Sequence, residues 1–516
     1  MKRIAVVLGL ASLVLSASAK IEMGTPFSDG AVLQRGMKVP VWGKVLPELN
    51  SSLARPVTVS FAGQTKSTVA DPVTGVWKIE LDPMEASKES RTMTVVEETG
   101  NWFVDLFSSP ADTVEIKDVL VGEVWFASGQ SNMECPIWGA STRYRDGKGG
   151  LMTTMTHLPY VRFAKNDKQW TLEPSRARTP GWKKFEPSSF TGYQLSAVAF
   201  YYARELYLAL GVPIGIVDAS WGGTNIDAWT PRCGYEGCDK SIQMVADYPL
   251  KKDWVKAKDK IWTVNAPHQQ PTVLFNGMVA SWAPMAMRGF IWYQGCHNSG
   301  EHELYCAKMH ALYNGWAKAF ANPDLKLYFV QLAPWTHNWM GICAAQNQFV
   351  AEEKNAAIAV TADVGNFEDI HPNDKEIVAK RLAVHALKRD YGLDIPEDNS
   401  PVFKSATFGA DGKVTMDFAH VKDWYVYAPN RSRETAFEVA GTNGVWEAAK
   451  VVNFRQKKSR DGKLSDTDYI DSSKIVVKSD KVAAPVKVRY MGKARTAGTL
   501  YSQASLPLGQ FEAEKK

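Results

Sequence analysis

Val121-Gly122-Glu123-Val124-Trp125-Phe126-Ala127 runs straight into Ser128-Gly129-Gln130-Ser131-Asn132-Met133. An apolar run of strand length, closed by a glycine and a polar turn, is the pattern of a buried strand whose carboxyl end opens on a ligand. Gly129 permits a tight exit from the strand. Ser131 then stands just past the strand end, with its hydroxyl directed out of the sheet and its N–H free to join an anion-binding turn.

The run extends back to 119, and further runs of the same kind lie at 214–217, 289–293, 325–332 and 356–361. Between them, Leu195, Val198, Ala199, Tyr202 and Leu206 fall on one helical stripe. A second helix is predicted after Asn373, with Glu376 completing a capping box and Val378, Leu382, Ala383 and Ala386 inward. Continuous apolar strands alternating with helices predict an α/β domain over 114–393, built on a parallel sheet covered on both faces. Residues 20–113 read instead as an N-terminal β domain. Short alternating strands recur there at 39–43, 57–61, 77–81 and 92–96 between Gly and Pro turns. Alternation returns at 414–418, 475–478 and 486–490, which predicts a C-terminal β domain over 394–516.

Three other segments sit at predicted strand ends. Ser220-Trp221-Gly222-Gly223-Thr224-Asn225 carries paired glycines that let backbone N–H groups approach a ligand. Trp292-Tyr293-Gln294-Gly295-Cys296-His297-Asn298 offers neutral carboxamide donors. In Asp369-Ile370-His371-Pro372 the proline favours extended backbone before it. Residues two apart then share a side, so Asp369 can orient His371. A serine hydroxyl needs a base to become a nucleophile, and an imidazole held by a carboxylate is such a base. Ser131, His371 and Asp369 are therefore the candidate catalytic group. Ser131, Gly222 or Gly223, and Gln294 or Asn298 are candidate oxyanion donors.

These four blocks, in this order, resemble the sialate O-acetylesterase family, a branch of the SGNH hydrolases. Gly122-Glu123-Val124-Trp125, Phe275-Asn276-Gly277-Met278 and Arg489-Tyr490 extend the likeness over nearly the whole chain. The resemblance implies a three-layer α/β/α SGNH-hydrolase-like core flanked by β-sandwich-like modules. It implies hydrolysis of acetyl esters on sialic acid through an acetyl-serine intermediate, with no cofactor and no metal. Another acetylated glycan (xylan or a mucin oligosaccharide) is the alternative substrate, and a non-catalytic glycan binder the alternative role. Ser131 carries over as nucleophile, His371 as base, and Gly223 with Gln294 as the oxyanion hole. Cys296 stands where the family carries Glu. SGNH enzymes place Asp three residues before the His, which here is Glu368; Asp369 is preferred on face geometry, and Asp363 ranks third.

Composition bounds the rest. At 516 residues, 45% hydrophobic and 22% charged, the chain has core material for about three globular domains. A net charge of +5 with no basic run gives no nucleic-acid footprint. Lys2 and Arg3, an apolar stretch at 4–15, and Ala17-Ser18-Ala19 form an export signal, so 1–19 is expected to be removed and the protein secreted or periplasmic, with no membrane contact afterwards. Six Cys are no disulfide scaffold, although Cys233 and Cys238 are close enough to bridge. His297, His302 and His310, near Cys296 and Cys306, are read as pocket-rim polar residues rather than metal ligands. Two of Trp125, Trp221, Trp229, Trp292 and Trp335 are expected to meet sugar. Arg162 and Arg204 are candidates for a sialic carboxylate, with solvation on the surface the preferred role.

Overall fold

The structure is a computed structural model and describes residues 21–46, 55–97, 112–137, 158–185, 195–238, 240–248, 250, 257–258, 263–264, 266–337, 339–426, 436–458 and 464–515. The expected export segment at 1–19 lies outside the described residues. The strand leading to Ser131 spans Thr113–Gly129 (β1) and is buried at every position from 119 onward. Its first half, with Thr113, Glu115 and Lys117 exposed, pairs antiparallel with Ser87–Glu97. Its second half lies between two parallel neighbours, Ile214–Ser220 (β3) and Gly289–Tyr293 (β4).

Val161–Lys165 (β2) lies outside β3, while Lys326–Val330 (β5) and Ala356–Ala359 (β6) continue beyond β4. The parallel order is thus β2-β3-β1-β4-β5-β6. The chain starts at the centre, fills one flank, then fills the other. The topological switch therefore falls at the carboxyl end of β1, where open sheets bind ligands. The sheet as a whole is mixed, not all parallel. Lys183–Lys184 adds an antiparallel edge, and β1 carries the ladder on into N-terminal strands, for eleven strands among the described residues. A half-exposed alternating segment suits antiparallel pairing and a continuous buried run suits parallel pairing, so one strand does both.

One helical turn, Ser131–Glu134 (α1), follows β1 directly. Ala197–Leu210 (α2) is capped by the Ser196 hydroxyl, which accepts from Ala199 N at 3.1 Å. His302–Ala319 (α3) packs on Met340–Glu352 (α4), and α2 packs on Lys375–Arg389 (α5). The α5 cap is Asp374, whose carboxylate accepts from Ile377 N, not Asn373. Glu376 does not close a box, because it is held by Arg204 and Lys380.

The predicted N-terminal strands appear as Val39–Val45, Arg55–Phe61, Val76–Leu81 and Ser87–Glu97. Among the described residues the C-terminal strands form three four-stranded sheets around a separate apolar cluster that includes Val414, Trp424 and Val488. This part reaches the central sheet through Gly498 N, which donates to Ala362 O at 2.8 Å, and Tyr501 OH, which donates to Asp363 at 3.1 Å. Among the described residues no helix is long and apolar enough to cross a membrane.

Candidate active site

Gly129 leaves β1 at φ 144°, and a Cβ there would lie 2.3 Å from Tyr293 O. Only glycine fits that exit, and it lets Gln130 N donate to Tyr293 O at 3.0 Å. Trp221 N donates to Gly129 O at 3.1 Å from the other side. The Gln130 carboxamide oxygen accepts from Gly295 N at 3.1 Å and His297 N at 3.4 Å. Glu134 accepts from Gly222 N at 2.6 Å and pairs with Lys168 at 2.5 Å. Asn132 Nδ2 donates to Ile370 O at 3.1 Å, and Lys375 Nζ donates to Asn132 Oδ1. The four sequence blocks therefore meet around Ser131, and its neighbour Asn132 touches the neighbour of His371.

Ser131 is partly exposed. Among the described residues neither its Oγ nor its N–H has a hydrogen-bond partner. Gly223 sits at φ 71° with open space where a Cβ would be, and its N–H likewise has no partner among the described residues. Asp369 Oδ1 accepts from His371 N at 2.8 Å and lies 3.1 Å from Nδ1, which leaves Nε2 unengaged. Glu368 is exposed and meets Arg495 at 3.2 Å. Asp363 is taken by a two-pronged pair with Arg381, both contacts at 2.7 Å, and by Tyr501.

Gln294 is fully buried, and its donors are spent: Nε2 gives one bond to Thr224 O at 3.0 Å and one to Asn298 Oδ1 at 2.7 Å. Its Oε1 accepts from Tyr305 OH at 2.8 Å. The sequence reading gave this carboxamide an oxyanion role, but no hydrogen is left for one. Asn298 Oδ1 accepts from Ile226 N and from Gln294, and its Nδ2 gives one bond, to Glu301. Gln294 holds Thr224 O and Asn298 holds Ile226 N, so both fix the segment that follows Gly223.

Lys375 is a site residue that sequence reasoning missed. Its ammonium is 1% exposed, lies 5.3 Å from the Tyr293 ring centroid, and is pushed down to about 8 by burial. The signal was there, since a lysine opens the helix four residues after His371, but its burial could not be read from that. Cys296 is pushed up to about 12 by burial, so it stands as a neutral thiol. Burial also lowers His268 and His297. His268 stacks on Trp221 at 4.5 Å, at the edge of the Gly222 turn.

Trp125, Trp229 and Trp292 are core residues with no exposed surface, whereas Trp221 and Trp335 are partly exposed. Arg162 and Arg204 are not on the surface. Arg162 is 3% exposed and bonded to Pro159 O and Asp118, and Arg204 pairs with Glu205 and Glu376. Cys233 and Cys238 are free thiols, not a bridge.

The profile of the family described as carbohydrate esterase, sialic acid-specific acetylesterase matches residues 121–387. A carbohydrate acetylesterase from Xanthomonas citri, known from its crystal structure, superposes with a TM-score of 0.76 at 28% identity, over 96% of this chain and 100% of its own. Sialate O-acetylesterases of Pongo abelii and Rattus norvegicus are 26% and 27% identical over 381 and 392 residues, 65% of this chain in each case. The chain spans 65% and 68% of the length of those relatives. Fold and matched region together place the chain in the carbohydrate-esterase class of families. The chain belongs to the sialic acid-specific acetylesterase family.

Proposed function

We propose that the protein is a secreted or periplasmic serine esterase that removes O-acetyl groups from sialic acids. It works on a three-layer α/β/α SGNH-like core spanning 114–393, between β modules at 20–113 and 394–516. The supporting observation is the Asn132 bond to Ile370, which joins the residue after an unbonded serine to the residue before a histidine paired with Asp369.

His371 Nε2 takes the Ser131 proton as Oγ attacks the acetyl carbonyl. The tetrahedral oxyanion accepts from the N–H groups of Ser131 and Gly223, and each such donor is worth about 3 kcal/mol. Gln294 acts on this hole indirectly, by holding Thr224 O. Collapse expels the sugar alcohol, which takes its proton from His371. Water, deprotonated by the same imidazole, then attacks the acetyl-serine and releases acetate. Asp369 fixes the imidazole tautomer throughout. Every step uses groups of this chain.

One observation favours a second substrate reading. Both arginines suggested for a sialic carboxylate are buried in ion pairs, so a neutral acetylated glycan fits the rim as well. The deciding experiment measures acetate release from O-acetylated sialosides, acetyl-xylan and an aryl acetate. Ser131→Ala is expected to lower kcat/KM by about 10³-fold or more on every substrate. Wild-type rates in that variant would end the proposal.

A further inference from the structure

Away from the Ser131 turn, three side chains from two helices converge on one point. Cys306 and His310 are four residues apart on α3, one turn along the same face. Glu352 is the last residue of α4. Its Oε2 lies 2.9 Å from His310 Nε2 and 3.6 Å from Cys306 Sγ, and the three donor atoms all lie within 4.8 Å of one another. We propose that Cys306, His310 and Glu352 form a zinc-binding site that ties α3 to α4, separate from the acetyl-transfer machinery.

The donor set argues for the metal. One thiolate, one imidazole and one carboxylate suit a borderline cation such as Zn²⁺, whereas Ca²⁺ and Mg²⁺ take oxygen alone. Bonds of about 2.0–2.3 Å at tetrahedral angles set donors about 3.3–3.8 Å apart. The sulfur–oxygen separation already falls there, and the nitrogen–oxygen pair reaches it by a small side-chain rotation. The surroundings hold the ligands in place. Gln348 Nε2 donates to Glu352 Oε1 at 2.9 Å, which leaves Oε2 for the ion. The Phe349 ring packs edge-on to His310 with centroids 4.8 Å apart and fixes the imidazole plane. Cys306 is buried, His310 half-buried and Glu352 exposed, so the ion would sit at the surface with water in the fourth position. Binding breaks the S–H bond and forms Zn–S; the thiol proton leaves to solvent.

His297, His302 and Cys296, grouped with these residues by sequence proximity, do not join the cluster. Glu352 is the ligand that proximity could not supply.

The test uses the full chain, stripped with a chelator and titrated with zinc chloride. Calorimetry in buffers of different ionisation enthalpy is expected to show one Zn²⁺ bound per chain and one proton released. Cobalt in its place is expected to give a thiolate-to-metal charge-transfer band. Cys306→Ser should abolish that band, and Glu352→Gln, on an exposed side chain that leaves the fold intact, should weaken zinc binding at least about tenfold. Esterase activity reports folding of both variants, because neither residue touches the proposed acyl-transfer group. No stoichiometric zinc in the wild type would overturn the site, as would wild-type zinc affinity in both variants.

Discussion

Replacing Lys375 by Met should make the protein more stable and less active at neutral pH. The ammonium sits near pKa 8 in the folded chain and near 10.5 when exposed, with burial as the main cause and the thiols of Cys135 and Cys296 and the Asp369 carboxylate opposing it. That gap corresponds to about 3 kcal/mol against folding whenever the amine is protonated. The sign follows from proton counting. Between about pH 8 and 10.5 the unfolded chain binds more protons than the folded one, so wild-type stability rises with pH across that window. Below about 8 the full cost is present. Methionine removes the cost at every pH but also removes the bond to Asn132 Oδ1, worth about 1–2 kcal/mol. The net gain at pH 7 is therefore about 1–2 kcal/mol, and it should vanish and reverse as pH approaches 10.5.

Activity should move the other way. Asn132 loses the cation that fixes its oxygen, its Nδ2 hold on Ile370 O loosens, and His371 shifts relative to Ser131. A displacement of that kind costs about 10–100-fold in kcat with little change in KM. Urea midpoints from pH 7 to 10.5, together with kcat and KM on an aryl acetate, check both halves. A stability difference that stays flat across the window would refute the buried-charge argument. An unchanged kcat would refute the tether.

The three acidic candidates separate by substitution. Asp369→Asn should lower kcat/KM about 10³-fold or more with the fold intact, and Glu368→Gln should leave it near wild type. Asp363→Asn should instead lower stability by about 3 kcal/mol, because it leaves the buried Arg381 guanidinium short of its partner. The two key glycines separate as well. Gly223→Ala meets open space and should cost only backbone strain, about 1 kcal/mol, whereas Gly129→Ala also drives a Cβ into Tyr293 O and should cost more than about 2 kcal/mol. Equal denaturation midpoints for the two variants would contradict that contrast.

What could be read from sequence follows from what each element buries. The strands at 214–217 and 289–293 are buried on both faces, so they appear as uninterrupted apolar runs. The dual life of β1 was hidden, because its alternating first half and apolar second half look like two elements. Arg162 and Arg204 look like surface cations, because their partners Asp118 and Glu376 lie far away in sequence. Gln294 was read as a donor because an amide at a strand end is free by default. Its engagement depends on Thr224, seventy residues away, on Tyr305 in α3 and on how Asn298 in its own block turns back. The five-residue π-helical turn Phe275–Val279 has no periodic signal, and Asn276 anchors it through Leu172 O at 2.8 Å.

The chemistry of the turn after β1 explains why its residues alternate as they do. Gln130 reaches the block after β4, Asn132 reaches the block around His371, and Glu134 reaches Gly222 after β3. Ser131 lies among these three and has no tertiary hydrogen bond of its own among the described residues. Each neighbour uses a bidentate side chain or a charge to join two segments, so the turn is held from three directions while the hydroxyl at its centre stays free. A serine bonded into that network would need to break a bond of about 1 kcal/mol before attacking. Holding the turn through its neighbours avoids that cost. It also means that the geometry at Ser131 is sensitive to side chains that never touch an acetyl group, since the bonds that fix it belong to residues 130, 132 and 134.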